Sequence, residues 1–174
     1  MMDATNRAAQ VRLMMFDVDG VMTDGALYLS DSGDEIKAFN ALDGHGMKML
    51  AASGVRLAII TGRRSRLVEA RARNLGVDLL FQGVEDKRAA FESLAIKLGI
   101  AASGCGYIGD DVIDLPVMRR CGFAASVPDA PEIVRSHAHY VTRARGGHGA
   151  VRELAEYLMR AQNTFDAALA PYLA

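Results

Sequence analysis

Short apolar runs recur along the chain, each closed by a polar or glycine-rich stop and followed by a stretch with helical spacing. Runs at 13–16, 56–60, 79–81, 106–108 and 123–126 read as strands, and segments at 44–52, 65–75, 87–98, 112–120 and 150–162 read as helices. Gly54, Gly76, Gly99 and Gly122 fall at or just beyond the ends of four of these helices. Strand followed by helix, repeated, predicts an α/β fold with a Rossmann-like, doubly wound parallel sheet. One piece breaks the rhythm. Residues 25–39 contain ALYLS, the turn DSGD and then EIKAF, which predicts a projecting β-hairpin. An isolated hairpin is marginal in water, so its outer apolar side chains are expected to lean on another subunit.

The chain has 174 residues, enough for one domain with a core of its own, and no repeat, low-complexity tract or linker divides it. A formal net charge of −1 gives no electrostatic reason to expect nucleic acid or an anionic membrane as partner, whereas a small anionic metabolite fits. Residues 1–12 lack the apolar stretch of a signal peptide and nothing later approaches a membrane span, so a cytoplasmic protein is expected. Cys105 and Cys121 lie in apolar surroundings and are not spaced as a metal-binding pair; they read as reduced core residues.

Ligands of open α/β sheets sit beyond the carboxyl ends of the strands, so the residues that follow each strand carry the chemistry. After the first strand come Asp17 and Asp19, spaced to emerge on one side where the strand frays, and then Gly20, which permits close backbone approach. Such carboxylates can divide labour, Asp17 attacking phosphorus and Asp19 moving a proton, with a divalent cation neutralising their repulsion. After the second strand, Thr61 and Gly62 offer a hydroxyl and backbone amides to a phosphoryl group. Lys87 opens the helix after the third strand and supplies a compact cation. Asp110, Asp111 and Asp114 follow the fourth, a hard-oxygen set suited to Mg²⁺. Singly, each has a plainer reading: Thr61-Gly62-Arg63 as a turn, Lys87 as a solvated helix residue, Asp111 as a helix cap. Jointly they fall at one edge of one sheet. TRARGG at 142–147 occurs once in a charge-balanced chain and reads as a loop near the site rather than an RNA-binding segment, and none of the four histidines is assigned a catalytic role.

DVDGVMTDG, IITGR, Lys87 and GDDVID together resemble the four motifs of the haloacid dehalogenase superfamily of aspartate-nucleophile phosphatases. Within it, KAFNALDGHGMKML, ITGRRSRLVEARARNLGV, YIGDDVIDLPVM and YVTRARGGHGAVRE are similar to the family that hydrolyses 3-deoxy-D-manno-octulosonate 8-phosphate, a step of lipopolysaccharide synthesis. The resemblance implies an aspartyl-phosphate on Asp17, proton transfer by Asp19, and phosphoryl binding by Thr61 and Lys87. It implies Mg²⁺ held by Asp17, the Asp19 carbonyl and Asp110, with Asp111 and Asp114 supporting from behind. It places the sugar acid at Asn40, Ala41, Leu42, Asp43, Gly44, Arg63 and Arg71, with the position of Lys48, where the family pattern carries arginine. It also implies a homotetramer. Only the hairpin and one helix separate the first two motifs, so no cap domain is expected; the site is then open in a monomer, and the tail at 163–174 is expected to dock on a neighbouring subunit. Two alternatives accompany this reading: a related phosphatase acting on a nonulosonate 9-phosphate or another sugar phosphate, and a non-catalytic oligomerisation module.

Overall fold

The structure, a computed structural model, describes residues 3–174. Its elements run α1 (Ala4–Ala8), β1 (Leu13–Phe16), β2 (Tyr28–Leu29), β3 (Glu35–Ile36), α2 (Ala41–Ala52), β4 (Arg56–Thr61), α3 (Arg66–Leu75), β5 (Leu79–Gln82), α4 (Lys87–Leu98), β6 (Cys105–Ile108), α5 (Leu115–Met118), β7 (Phe123–Ser126), α6 (Glu132–Arg135), β8 (Tyr140–Val141), α7 (Ala150–Ala161) and α8 (Phe165–Leu173). Six strands form one sheet in the order β5-β4-β1-β6-β7-β8, every neighbouring pair parallel. Helices flank it, α2 packing against α7 and α4 against α5. This is the predicted Rossmann-like architecture, and no helix among the described residues is long and apolar enough to cross a membrane.

The centre of the sheet is dry. All four residues of β1 and of β6 are buried, as expected for parallel strands covered on both sides, and Phe16, Phe91, Tyr107 and Phe123 are the bulkiest side chains of the core. Cys105 and Cys121 are buried in the same core, and burial pushes the Cys121 thiol up to about 12, which keeps it protonated. Register aligns the strand ends: Phe16 pairs with Ile59 on one side and Ile108 on the other, and Thr61 with Gln82. The residues just past these pairs therefore meet at one edge.

Four differences from the sequence-based expectation stand out, the first two with local causes. Helix α2 starts at Ala41 rather than 44, because the Asn40 side chain caps it by accepting from the amides of Leu42 (2.8 Å) and Asp43 (3.2 Å). The helix expected over 112–120 is a 3₁₀ turn at Val112–Asp114 followed by the short α5, the Asp111 and Asp114 carboxylates closing a capping box around the turn. Beyond β7, the short α6 and β8 extend the sheet by one strand. The tail forms α8, in which the Tyr172 ring meets His45 of α2 edge-on at 5.4 Å.

The hairpin forms as expected but is brief. Tyr28 pairs with Ile36 and Leu29 with Glu35 in a separate antiparallel ladder. Leu27, Tyr28, Leu29 and Ile36 stand 46–67% exposed.

Candidate active site

Asp17 is the first residue past β1, and its backbone N–H still donates to Ile108 (3.1 Å), so the carboxylate leaves a fixed strand end. The chain then turns sharply: the Val18 carbonyl accepts from the amides of Val21, Met22 and Thr23, and the Thr23 hydroxyl accepts from the amides of Gly20 (3.4 Å) and Gly25 (3.2 Å). Gly20 takes φ +85°, and a Cβ there would lie 2.0 Å from Asp110 Oδ2. Only glycine lets the Asp19 loop and the Asp110 carboxylate come this close.

Behind Asp17 lies a buried ionic cluster. Lys87, the first residue of α4 and 3% exposed, places Nζ 2.8 Å from Asp17 Oδ2 and 2.7 Å from Asp114 Oδ1. Asp114 is fully buried and every one of its bonds is internal: Tyr107 Oη donates to Oδ1 (2.6 Å), and the amides of Asp110 and Asp111 donate to Oδ2 (3.0 and 3.1 Å). Burial and then the Asp114 charge raise the Asp17 carboxyl to about 7, against the pull of Lys87. Asp110 is likewise raised to about 7, by burial and then by Asp17. Burial opposes the charge on Lys87, yet Asp17 and Asp114 outweigh it and hold the ammonium above its ordinary value.

A cleft of about 230 Å³ opens in front of this cluster, lined by Asp17, Asp19, Thr61, Lys87, Asp110 and Asp111 together with Arg63. All four motifs thus meet in one place. Thr61 is 2% exposed at the end of β4, with its hydroxyl accepting from the Arg63 amide (3.4 Å). Asp111 is exposed, and its carboxylate accepts from the Val112 amide (2.7 Å).

The rim holds two residues that the sequence reading did not single out. Lys37, with its side chain 2% exposed, folds back from the hairpin and pairs with Asp19; it also lies 3.3 Å from Glu35 Oε1. Glu35 accepts from Arg63 Nη2 at 3.0 Å, and Arg63 Nε lies 3.8 Å from Asp19 Oδ2. The signal was present in EIKAF, whose alternation turns Glu35, Lys37 and Phe39 inward and Ile36 and Ala38 outward. Tyr107, the third such residue, is one hydroxyl hidden inside an apolar strand.

The sugar-acid residues do not all join the cleft. Ala41 and Leu42 are exposed on the first turn of α2. The Asn40 side chain serves as its cap, and the Asn40 carbonyl accepts from Arg71 Nη2 (2.9 Å). The Arg71 guanidinium lies 5.6 Å from the Phe39 ring centroid and so close over Gly44 that a Cβ there would sit 2.1 Å from Nη2. Asp43 is buried and faces α7, accepting from the amides of Gly149 (3.2 Å) and Arg152 (2.8 Å). Lys48 lines a second, mainly apolar cavity of about 500 Å³ between α2 and α8.

The donor set fits a hard divalent cation. Oxygen atoms of Asp17, Asp110 and Asp114 lie within 4.8 Å of one another, and the burial and mutual repulsion that raise Asp17 and Asp110 are the cost a cation would relieve. Asp114 has its oxygens engaged by Lys87, Tyr107 and two amides, which suits it to orient the other two.

An aspartate-rich cleft at the carboxyl edge of a Rossmann-like sheet, with a lysine beside the leading aspartate, defines a phosphoryl-transfer hydrolase, and residues 27–122 match the model of the haloacid dehalogenase-like hydrolases. The chain is 46% identical to the 3-deoxy-D-manno-octulosonate 8-phosphate phosphatase KdsC of Yersinia pestis over 95% of its own length and 89% of that protein's. It is 45% identical to KdsC of Escherichia coli K12, over 95% and 88%. The crystal structure of the Moraxella catarrhalis 3-deoxy-D-manno-octulosonate 8-phosphate phosphatase, in complex with magnesium, phosphate and KDO, superposes with a TM-score of 0.95 at 45% identity, covering 97% of each chain. The chain belongs to the haloacid dehalogenase-like hydrolases and, within them, to the KdsC family.

Proposed function

We propose that this chain hydrolyses 3-deoxy-D-manno-octulosonate 8-phosphate to the free sugar acid and inorganic phosphate, with Mg²⁺, in the cytoplasm and in the service of lipopolysaccharide synthesis. One observation carries the reading: Asp17 and Thr61 from the ends of β1 and β4, Lys87 from the start of α4 and Asp110 from just past β6 converge on one cleft.

Asp17 attacks phosphorus; the bond between phosphorus and the sugar oxygen breaks, and Asp19 gives that oxygen its proton. Asp19 then takes a proton from water, which attacks the phosphorus of the aspartyl-phosphate and frees inorganic phosphate and the Asp17 carboxylate. Thr61 and Lys87 hold the phosphoryl oxygens, Lys87 fixed by Asp114 while it does so. Mg²⁺, bound by the Asp17 carboxylate, the Asp19 carbonyl and Asp110, offsets the charge gathered there, with Asp111 and Asp114 as supporting residues.

Arg63 faces the cleft and contacts the sugar acid directly. Asn40 to Gly44, Lys48 and Arg71 complete the sugar site in a homotetramer whose hairpins meet and whose tail reaches a neighbouring cleft. The exposed Leu27, Tyr28, Leu29 and Ile36 support this assembly. Purified protein tests the reading through kcat/KM on octulosonate, nonulosonate and simple hexose phosphates, with Mg²⁺ and with EDTA. The expected result is a Mg²⁺-dependent preference for the octulosonate, lost roughly 10⁴- to 10⁶-fold in Asp17→Asn. A flat substrate profile rejects the substrate, and turnover by Asp17→Asn rejects the covalent mechanism.

A further inference from the structure

The glycine-rich segment after β8 has no part in the chemistry above, yet the fold holds it firmly. The Glu153 carboxylate of α7 accepts from the amides of Arg143 (3.0 and 3.1 Å) and Ala144 (2.9 Å) and from Tyr140 Oη (2.7 Å). Burial opposes its charge, but these donors prevail and hold Glu153 below the ordinary carboxylate value. At the far end the Gly149 amide donates to Asp43, and within the loop the Thr142 hydroxyl donates to the Ala144 carbonyl (2.8 Å).

The loop so held presses against the main chain of the turn that carries Asp19. The Gly147 amide donates to the Val21 carbonyl at 3.0 Å. A Cβ on Gly146 would stand 1.8 Å from the Gly20 carbonyl oxygen and 3.0 Å from that of Thr23, both backbone atoms with no rotamer to yield. Gly146 is outside the left-handed region, so only this contact forbids a side chain. Gly20 in turn has its α-carbon against the Asp110 carboxylate. Main chain at 146, main chain at 20 and carboxylate at 110 therefore stack in direct contact.

We propose that Gly146 is a positioning residue for the cation site. By seating the 142–149 loop on Gly20, it sets where the Asp19 carbonyl and the Asp110 carboxylate stand relative to each other. The inference rests on the Mg²⁺ site of the preceding section and adds residues outside the four motifs to it.

Calorimetric titration of purified, full-length Gly146→Ala with Mg²⁺, in the absence of substrate, reads this directly. The expected result is a dissociation constant raised at least about tenfold, the order that follows loss of a group supporting metal ligands. Gly99→Ala is the control: that glycine has φ +63° and no atom within 4 Å of its Cβ position, so it strains the fold without moving the Mg²⁺ affinity. If Gly146→Ala does not fold, Glu153→Gln takes its place, since it loosens the same loop without placing an atom near Gly20, and it should weaken Mg²⁺ binding about threefold or more. Unchanged Mg²⁺ affinity in the folded Gly146→Ala, or failing that in Glu153→Gln, overturns the proposal. Wild-type protein that does not bind Mg²⁺ is a different failure: it removes the metal site itself and this inference with it.

Discussion

Two networks of charge meet at the cleft, and they are built differently. Asp17 just past β1, Tyr107 within β6, Asp114 in the 3₁₀ turn before α5 and Lys87 at the start of α4 are almost wholly shielded from water. Asp19, Lys37, Glu35 and Arg63 form the rim, two of them carried on a hairpin of two-residue strands, with Arg63 about half exposed. In the first network Lys87 joins Asp17 to Asp114, and Tyr107 and two amides hold Asp114 from behind, all shut away from water; in the second, Lys37 and Arg63 each bridge Asp19 and Glu35, whose carboxylates stay in reach of solvent. Bond-breaking needs atoms fixed to a fraction of an ångström, which a strand end supplies. Admitting and releasing a sugar needs contacts that can be exchanged for substrate, which a hairpin supplies.

The contrast can be broken at its strong end first. Asp114→Ala leaves Tyr107 and two backbone amides without their acceptor and takes from Lys87 one of its two carboxylates, and should cost about 3–5 kcal/mol of stability in urea unfolding, with activity lost alongside. A loss below about 1 kcal/mol would mean that the buried network is no more cooperative than the rim.

The pH dependence of the metal-free protein sharpens the same point. Asp17 and Asp110 sit at about 7 when folded against 3.8 as ordinary carboxyls, so between those values the folded protein binds more protons than the unfolded chain. Their contribution to stability therefore falls as pH rises through that window and stays low above it. Thermal melts in EDTA at pH 5 and pH 8 should show a steeper loss for wild type than for Asp110→Asn, and Mg²⁺ should remove the difference at the upper pH. At the weak end, Lys37→Met should cost less stability than Asp114→Ala, because the Asp19 and Glu35 carboxylates it leaves keep Arg63 and solvent as partners, while lowering kcat/KM about fivefold. An effect as large as that of Asp114→Ala would erase the distinction between rim and interior.

What could be read without coordinates follows the range of the interactions involved. The apolar runs of β1, β4, β6 and β7 announced themselves because a strand buried on both faces needs no partner to be recognised, the half-buried edge strand β5 kept an apolar run of its own, and Asp17, Thr61, Lys87 and Asp110 followed from where those runs stop. Strand β8 escaped because Tyr140 and Val141 are two residues with one side exposed. The start of α2 was hidden by Gly44 and Gly46, although the Asn40 cap was there to be seen. Lys37 lies 18 positions from Asp19 and reaches it only because the hairpin folds back. Asp43 shows the sharpest limit. The family resemblance implies a sugar contact for it, and nothing nearby in the sequence shows that its carboxylate also accepts from the Arg152 amide 109 positions away, a pairing that no local pattern encodes.

That last bond, with the contact of Gly146 on Gly20, has a consequence for the order of events during synthesis. The nucleophile is made more than a hundred residues before the loop that backs its turn and the helix that anchors Asp43. Contacts of such separation close last in folding. A chain cut before residue 142 therefore displays Asp17 and Asp19 without that backing, and its turn should be more loosely held than in the full chain.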